Sequence, residues 1–121
     1  MVQGIGNDII EIDRIKKSID RHGSHFLDRL FTQKEQEYCF QHTQPAIRFA
    51  GRFAAKEAIV KAFGVGFGKD ISWHDIEILN DEHGRPLTSF SPHILSHFNR
   101  PIIHISISHC ENYATAVAIW N

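Results

Sequence analysis

Cysteine is scarce in this chain. Cys39 and Cys110 are the only two, too few for a disulfide framework, and both read as free thiols in a reducing compartment. No apolar run approaches the ~20 residues a membrane-crossing helix needs. No basic segment followed by an apolar run stands at the start, so a secretory signal is not expected; the expectation is a cytoplasmic protein without a membrane role. Charge of one sign is also missing. Thirteen basic residues against fourteen acidic ones give a net charge of −1, which argues against indiscriminate nucleic-acid binding. The nine histidines are scattered. His93 and His97 are spaced i, i+4, but no third ligand stands at a characteristic distance, so a dedicated zinc site is not expected.

What is present fits one soluble domain. A chain of 121 residues, 42% hydrophobic and 22% charged, buries about two-thirds of its unfolded surface without help from a metal or disulfide. A single domain over residues 1–121 is expected. Val2 to Asn7 reads as a strand in which Gly4 and Gly6 imply a bulge or a close backbone approach. Asp13 is placed to cap a helix that buries Ile15 and Ile19 and stops at Gly23. Ser24 opens a short amphipathic segment with Phe26, Leu27, Leu30 and Phe31. Thr32-Gln33-Lys34-Glu35 matches a capping box and starts a helix to about Gln41.

Thr43 followed by Pro45 marks the start of the longest helix, Pro45 to Phe63, which Gly64 ends. The glycine-rich stretch from Gly64 to Lys69 follows a helix instead of leading into one, so it is not a phosphate-binding P-loop. Ile76–Leu79 and Arg85–Phe90 read as strands around a turn at Asn80–Gly84. Ser91-Pro92 begins a short helix to about Phe98. Ile103, Ile105 and Ile107 alternate with polar residues as in a half-buried strand. His109 to Asn112 makes a turn, and Tyr113 to Trp120 is the last strand. Helices first and strands later suggest an α+β layer fold.

The long helix carries the chemistry. Arg48, Arg52 and Lys56 form an i, i+4, i+8 stripe of like charge with no acid between them. Each pair repels by about 0.2–0.5 kcal/mol, so the stripe is either a solvated face or the seat of an anion such as phosphate. Glu57 and Lys61 are one turn apart, as in an ordinary surface ion pair. Ala50, Ala54, Ala58 and Ala62 make a small-residue stripe that lets another element pack close. Asp8, expected where the first strand gives way to irregular chain, is either a turn aspartate or a second ligand. Mg2+ takes one or two carboxylates together with waters and phosphate oxygens, and Asp8 with Glu57 would supply that set. Lys61 would then offset charge on a phosphate oxygen.

Four segments in order carry a resemblance over essentially the whole chain. Gly4-Ile5-Gly6-Asn7-Asp8-Ile9-Ile10-Glu11-Ile12-Asp13-Arg14-Ile15, then Arg52-Phe53-Ala54-Ala55-Lys56-Glu57-Ala58-Ile59-Val60-Lys61-Ala62, then Gly84-Arg85-Pro86, and last Ile107-Ser108-His109 resemble the signatures of the holo-[acyl-carrier-protein] synthases, the small 4'-phosphopantetheinyl transferases. The resemblance implies their α+β fold, an antiparallel sheet packed against a long central helix. It implies transfer of 4'-phosphopantetheine from coenzyme A to a serine of apo acyl carrier protein, in support of fatty acid biosynthesis, with release of adenosine 3',5'-bisphosphate.

By the same resemblance, Asp8, Glu57 and Lys61 are catalytic, and Asp8 and Glu57 hold the Mg2+ cofactor. Arg52, Lys56, Lys61, Gly84, Arg85, Pro86, Ser108 and His109 contact coenzyme A, and Arg14 and Arg21 dock the carrier protein. A water held near Glu57, by the carboxylate or by the metal, is the candidate base. Family members of this size form homotrimers with sites between subunits. The competing readings are a metal-dependent phosphohydrolase, which would want further carboxylates for a second metal, and a non-catalytic nucleotide-binding module, which would not need Asp8, Glu57 and Lys61 together.

Overall fold

The computed structural model describes residues 1–121. Strand β1 (Gly4–Glu11) leads into three helices, α1 (Ile12–His22), α2 (Ser24–Leu30) and α3 (Gln33–Phe40), and then into the long α4 (Pro45–Ala62). A 3-10 turn at Trp73–Asp75 precedes the hairpin β2 (Ile76–Asn80) and β3 (Pro86–Phe90). Helix α5 (Pro92–His97) leads to β4 (Ile103–His109) and β5 (Tyr113–Trp120). The strands form two antiparallel sheets, β1-β5-β4 and β2-β3. The α+β expectation is met: the three-stranded sheet lies on α4 as its main support.

The contact between sheet and helix follows from small residues on both sides. Ala50, Ala54 and Ala58 are fully buried and Ala62 nearly so, facing Ala114, Ala116 and Ala118 of β5. On β1 even alanine is too large. A methyl group at Gly4 would run into the carbonyl oxygen of Ala62, and one at Gly6 into that of Ala58. The close backbone approach expected from the two glycines is therefore real, and it brings β1 against the second half of α4.

Other local signals hold as well. Thr32 and Glu35 complete the capping box of α3. Pro45 stands in the first turn of α4, and Gly64 follows its end in a left-handed conformation, φ 77°. Ser91 caps α5. Gly84 closes the β2–β3 turn at φ 84°, a conformation glycine adopts without strain.

Three boundaries differ from expectation. Strand β1 does not stop at Asn7 but runs to Glu11, because β5 pairs with it along its whole length. Asp8 is consequently a mid-strand residue opposite Ala116, not a turn aspartate. Helix α1 starts one residue before Asp13, with Glu11 at the N-cap and no side-chain cap; Asp13 instead pairs with Lys17 at 2.9 Å. At the other end of the sheet β4 extends through His109, which pairs with Ala114.

The face of the β1-β5-β4 sheet turned away from α4 has no covering layer. Ile5 and Ile9 are 65% and 61% exposed there, with Tyr113 and Val117 beside them on β5.

Candidate active site

The side of Asp8 toward α4 is fixed by strand alternation: Gly6, Asp8 and Ile10 share the helix-facing side of β1. The glycine-enabled approach therefore delivers the Asp8 carboxylate to the flank of α4 that carries Glu57 and Lys61. Lys61 Nζ donates to Asp8 Oδ1 at 3.0 Å and to the Asn7 carbonyl oxygen at 3.1 Å. The Asp8 side chain is only 16% exposed. The i, i+4 ion pair that the sequence offers between Glu57 and Lys61 is not formed.

Glu57 holds its proton more tightly than an ordinary carboxylic acid. Burial is the main cause and the Asp8 charge the second, partly opposed by Lys61. Two carboxylates from different elements thus share one site and repel each other, a condition a divalent cation relieves. No third histidine, cysteine, aspartate or glutamate joins them in a metal-ligating group. The donor set is hard oxygen and incomplete, which fits Mg2+ completed by waters and phosphate oxygens and does not fit structural zinc.

The opposite flank of α4 holds a basic cleft. Arg48, Arg52, Gly84, Pro86, Ile107 and His109 line a cavity of about 180 Å³. Around the helix N-terminus it continues into a second, of about 230 Å³, which shares Arg48 and His109 and adds His42, Thr43 and Gln44. No carboxylate lines either one. Arg52 is 3% exposed and firmly held. Its Nε donates to the Ile78 carbonyl at 3.0 Å, its terminal nitrogen donates to Asn80 Oδ1, and its guanidinium lies 4.2 Å over the Tyr38 ring. Asn80 in turn donates to the Gly84 carbonyl at 2.7 Å, so Arg52 also fixes the Gly84 turn.

The expected coenzyme A residues are therefore divided. Arg52, Gly84, Pro86 and His109 meet in the basic cleft, and Lys61 stands with the acids. Arg85 is exposed and lines a neighbouring groove between β3 and β4 with Pro86 and His104. Ser108 alternates with His109 and so lies on the uncovered face of the sheet, opposite Thr115. The separation of acids and cleft follows from helix geometry: Arg52 and Glu57 are five residues apart, roughly 140° around the axis.

Lys56 requires a correction. It is fully buried, with its ammonium 2.7 Å from Glu35 Oε1, 2.9 Å from the Leu30 carbonyl and 3.1 Å from the Trp73 carbonyl. All three donors of the ammonium are used, and burial lowers its proton affinity against the pull of Glu35. Glu35 is satisfied in the same way, by Lys56, Thr32 N and Ile78 N. Lys56 is thus a structural cation that ties α4 to α2, α3 and the 3-10 turn, and no donor of its ammonium remains for a phosphate.

On α1, Arg14, Lys17 and Arg21 are exposed at i, i+3 and i+7, one face of the helix, while Ile12 and Ile15 are buried on the other. Residues that sequence reasoning did not place at the site are His42, Tyr38 and Asn80. Arg48 appeared only as a member of the basic stripe; the lack of any acid at i±4 was its one available signal.

Known proteins match this chain over nearly its whole length. Residues 4–118 match the family model of the 4'-phosphopantetheinyl transferase superfamily. The holo-[acyl-carrier-protein] synthase of Protochlamydia amoebophila is 56% identical over 121 residues, covering 100% of this chain and 99% of that protein. The Chlamydia pneumoniae holo-[acyl-carrier-protein] synthase is 48% identical over 95% of this chain and 93% of its own length. Among solved structures, the Helicobacter pylori holo-[acyl-carrier-protein] synthase in complex with coenzyme A superposes with a TM-score of 0.89 at 36% identity, covering 97% of this chain and 99% of that one. The Neisseria meningitidis enzyme gives 0.91 at 31% identity, covering 100% and 99%. With both the sequence signatures and the fold matched over nearly the full length, the chain belongs to the 4'-phosphopantetheinyl transferase superfamily.

Proposed function

We propose that this protein is a holo-[acyl-carrier-protein] synthase that moves 4'-phosphopantetheine from coenzyme A to a serine hydroxyl of an apo acyl carrier protein. The serine oxygen forms the new bond to phosphorus, the pyrophosphate bond breaks, and adenosine 3',5'-bisphosphate leaves. The observation that carries the reading is the meeting of Asp8, Glu57 and Lys61 at one end of a helix in a chain of this family. Asp8 and Glu57 would hold Mg2+, whose contribution is to offset negative charge on the pyrophosphate. Lys61 is placed to donate to a phosphate oxygen once an anion competes for it with Asp8. Glu57 would also hold the water that takes the serine proton.

The division of the site supports a homotrimer. The acids lie on one flank of α4 and the basic cleft on the other, so a single coenzyme A would engage the acids of one chain and the cleft of a neighbour. The uncovered sheet face with Ile5, Ile9 and Val117 is apolar surface of the kind an intersubunit contact buries. Ser108, on that same face, would enter the site from it. The exposed Arg14 and Arg21 suit an acidic carrier protein, and fatty acid biosynthesis in the cytoplasm is the setting this reaction serves.

The test is direct. The protein is incubated with apo acyl carrier protein, coenzyme A and Mg2+, and the carrier is weighed by mass spectrometry. A phosphopantetheine adduct on the carrier serine, formed with Mg2+ and lost with chelator, is expected; an unmodified carrier refutes the reading.

A further inference from the structure

The site of Asp8, Glu57 and Lys61 holds two negative charges and one positive charge, and a single acid engages the positive one. Lys61 Nζ donates to Asp8 Oδ1 at 3.0 Å and to the Asn7 carbonyl oxygen at 3.1 Å. Two of the three ammonium donors are thus anchored on β1. Asp8 has no other hydrogen-bond partner, and its side chain is 16% exposed against 50% for that of Lys61. The acid is rigidly set and the ammonium is not. Asp8 follows Gly6, whose close contact with Ala58 locks the strand to α4. Lys61 stands in the last turn of α4, and its charge rides on a flexible four-carbon stem.

That arrangement sets Lys61 against a divalent cation. Asp8 and Glu57 together match the charge of Mg2+ without help. With an ammonium 3.0 Å from Asp8 Oδ1, the same set carries excess positive charge. The ammonium repels the ion, and one Asp8 oxygen is already engaged. Lys61 therefore opposes the metal for as long as Asp8 is the best anion within its reach. A pyrophosphate oxygen is a competing anion. It draws the ammonium off Asp8 and leaves that carboxylate to the ion. The acids with Mg2+ and Lys61 with phosphate are two charge-matched pairings, and each favours the other.

We propose that Lys61 guards the metal site: its ion pair with Asp8 holds Mg2+ binding weak until the pyrophosphate of a donor draws the ammonium away, so that Mg2+ and coenzyme A bind as a coupled pair. The proposal rests on the transferase reading and adds the order in which the site fills. It gives Lys61 a role before any bond to phosphorus changes, separate from its contact with phosphate during transfer. Coupling between two ligands is reciprocal. Asp8 therefore restrains Lys61 in the same measure, and a donor offered without Mg2+ must take the ammonium from that carboxylate.

Two binding measurements test it, and neither depends on turnover. In the first, Mg2+ alone is titrated into the wild type, Lys61→Met and Lys61→Arg, and read by calorimetry and by the rise in melting temperature. Lys61→Met should bind Mg2+ about 10-fold more tightly than the wild type, within the ~5–150-fold range of ordinary coupling between sites. Lys61→Arg keeps the charge and should bind Mg2+ as weakly as the wild type. Equal Mg2+ binding by the wild type and Lys61→Met overturns the proposal. In the second, coenzyme A is titrated in the presence of a chelator. Asp8→Asn keeps the shape of the side chain and frees Lys61, so it should bind coenzyme A more tightly than the wild type. That gain should be lost when Lys61→Met is added. No gain in Asp8→Asn, or a gain that survives the second substitution, overturns the proposal. If the wild type forms no carrier adduct, the transferase reading fails by itself and the Mg2+ titration still decides the role of Lys61. A modified carrier together with Mg2+ binding that Lys61→Met does not move removes this proposal alone.

Discussion

Lys61 Nζ lies 3.0 Å from Asp8 Oδ1, in preference to the Glu57 carboxylate one turn away on its own helix. The choice has an electrostatic consequence. Asp8 has a cationic partner, whereas Glu57 has a half-buried carboxylate facing a second negative charge. Glu57, its proton affinity raised by burial and by the Asp8 charge, is therefore the member that gains most from an added cation. Glu57→Gln should lower carrier modification at least about 100-fold, the scale of a lost acid–base group, and abolish the response to Mg2+. Near-normal turnover with an intact Mg2+ dependence would refute the assignment of Glu57.

The same residue gives a stability prediction whose sign is fixed. The proton affinity of Glu57 is raised in the folded chain by burial and by Asp8. Between the ordinary carboxylate range and that raised value the folded state binds more protons than the unfolded state, so stability falls as pH rises. The contribution is fully present below the ordinary range and is gone above the raised value. Glu57→Gln removes this loss, so in the absence of metal the variant should melt above the wild type at neutral pH and lose that advantage at acid pH. Added Mg2+ should raise the melting temperature of the wild type only. A variant that melts lower at neutral pH, or responds equally to Mg2+, contradicts the site.

Gly6 sits where a methyl group would collide with the Ala58 carbonyl oxygen, the Ala62 nitrogen and Lys61 Cβ. Backbone cannot yield as a flexible side chain does. Gly6→Ala should cost about 1–3 kcal/mol or more by overpacking and push β1 away from α4, carrying Asp8 with it. Denaturant melts should show the loss of stability, and Mg2+ titration of the folded variant should show weakened binding. A variant with wild-type stability would mean that the close approach is not needed.

Local chemistry made much of this fold legible. The Thr32–Glu35 capping box, Gly64 after the long helix, the Ile103–Ile107 alternation and the Gly4–Gly6 approach are each encoded within a few residues, and each is realised. What the sequence hid depends on partners far along the chain. Asp8 stays in a strand because β5, more than a hundred residues later, pairs with it. Lys56 looks like its stripe-mates Arg48 and Arg52 until Glu35, 21 residues away, is seen beneath it. The Ala stripe signalled close packing but not that the acids and the basic cleft would face opposite flanks of the helix.

Docking of the carrier protein is tested on α1. Arg14 and Arg21 are exposed on one face of that helix, without an acid partner, whereas neighbouring Lys17 is engaged by Asp13. Exposed interface charges act mainly on encounter and specificity. Arg14→Glu should raise KM for the carrier with little change in KM for coenzyme A, and added salt should weaken the wild type more than the variant. Unchanged carrier KM would remove α1 from the docking surface.

Lys56→Met separates structure from substrate binding. Lys56 and Glu35 are both fully buried and 2.7 Å apart. Removing one member of a buried ion pair leaves the other charge uncompensated, at a cost of about 3–5 kcal/mol. Glu35 keeps its bonds from Thr32 N and Ile78 N, but these are amide donors and carry no full charge. The variant should therefore be strongly destabilised in urea. Its folded fraction, measured at low temperature, should keep KM for coenzyme A near the wild-type value, because the ammonium faces α2, α3 and the 3-10 turn and not the cleft. The opposite pattern, wild-type stability with a KM raised tenfold or more, would return Lys56 to the phosphate site and require Glu35 to be stable without it.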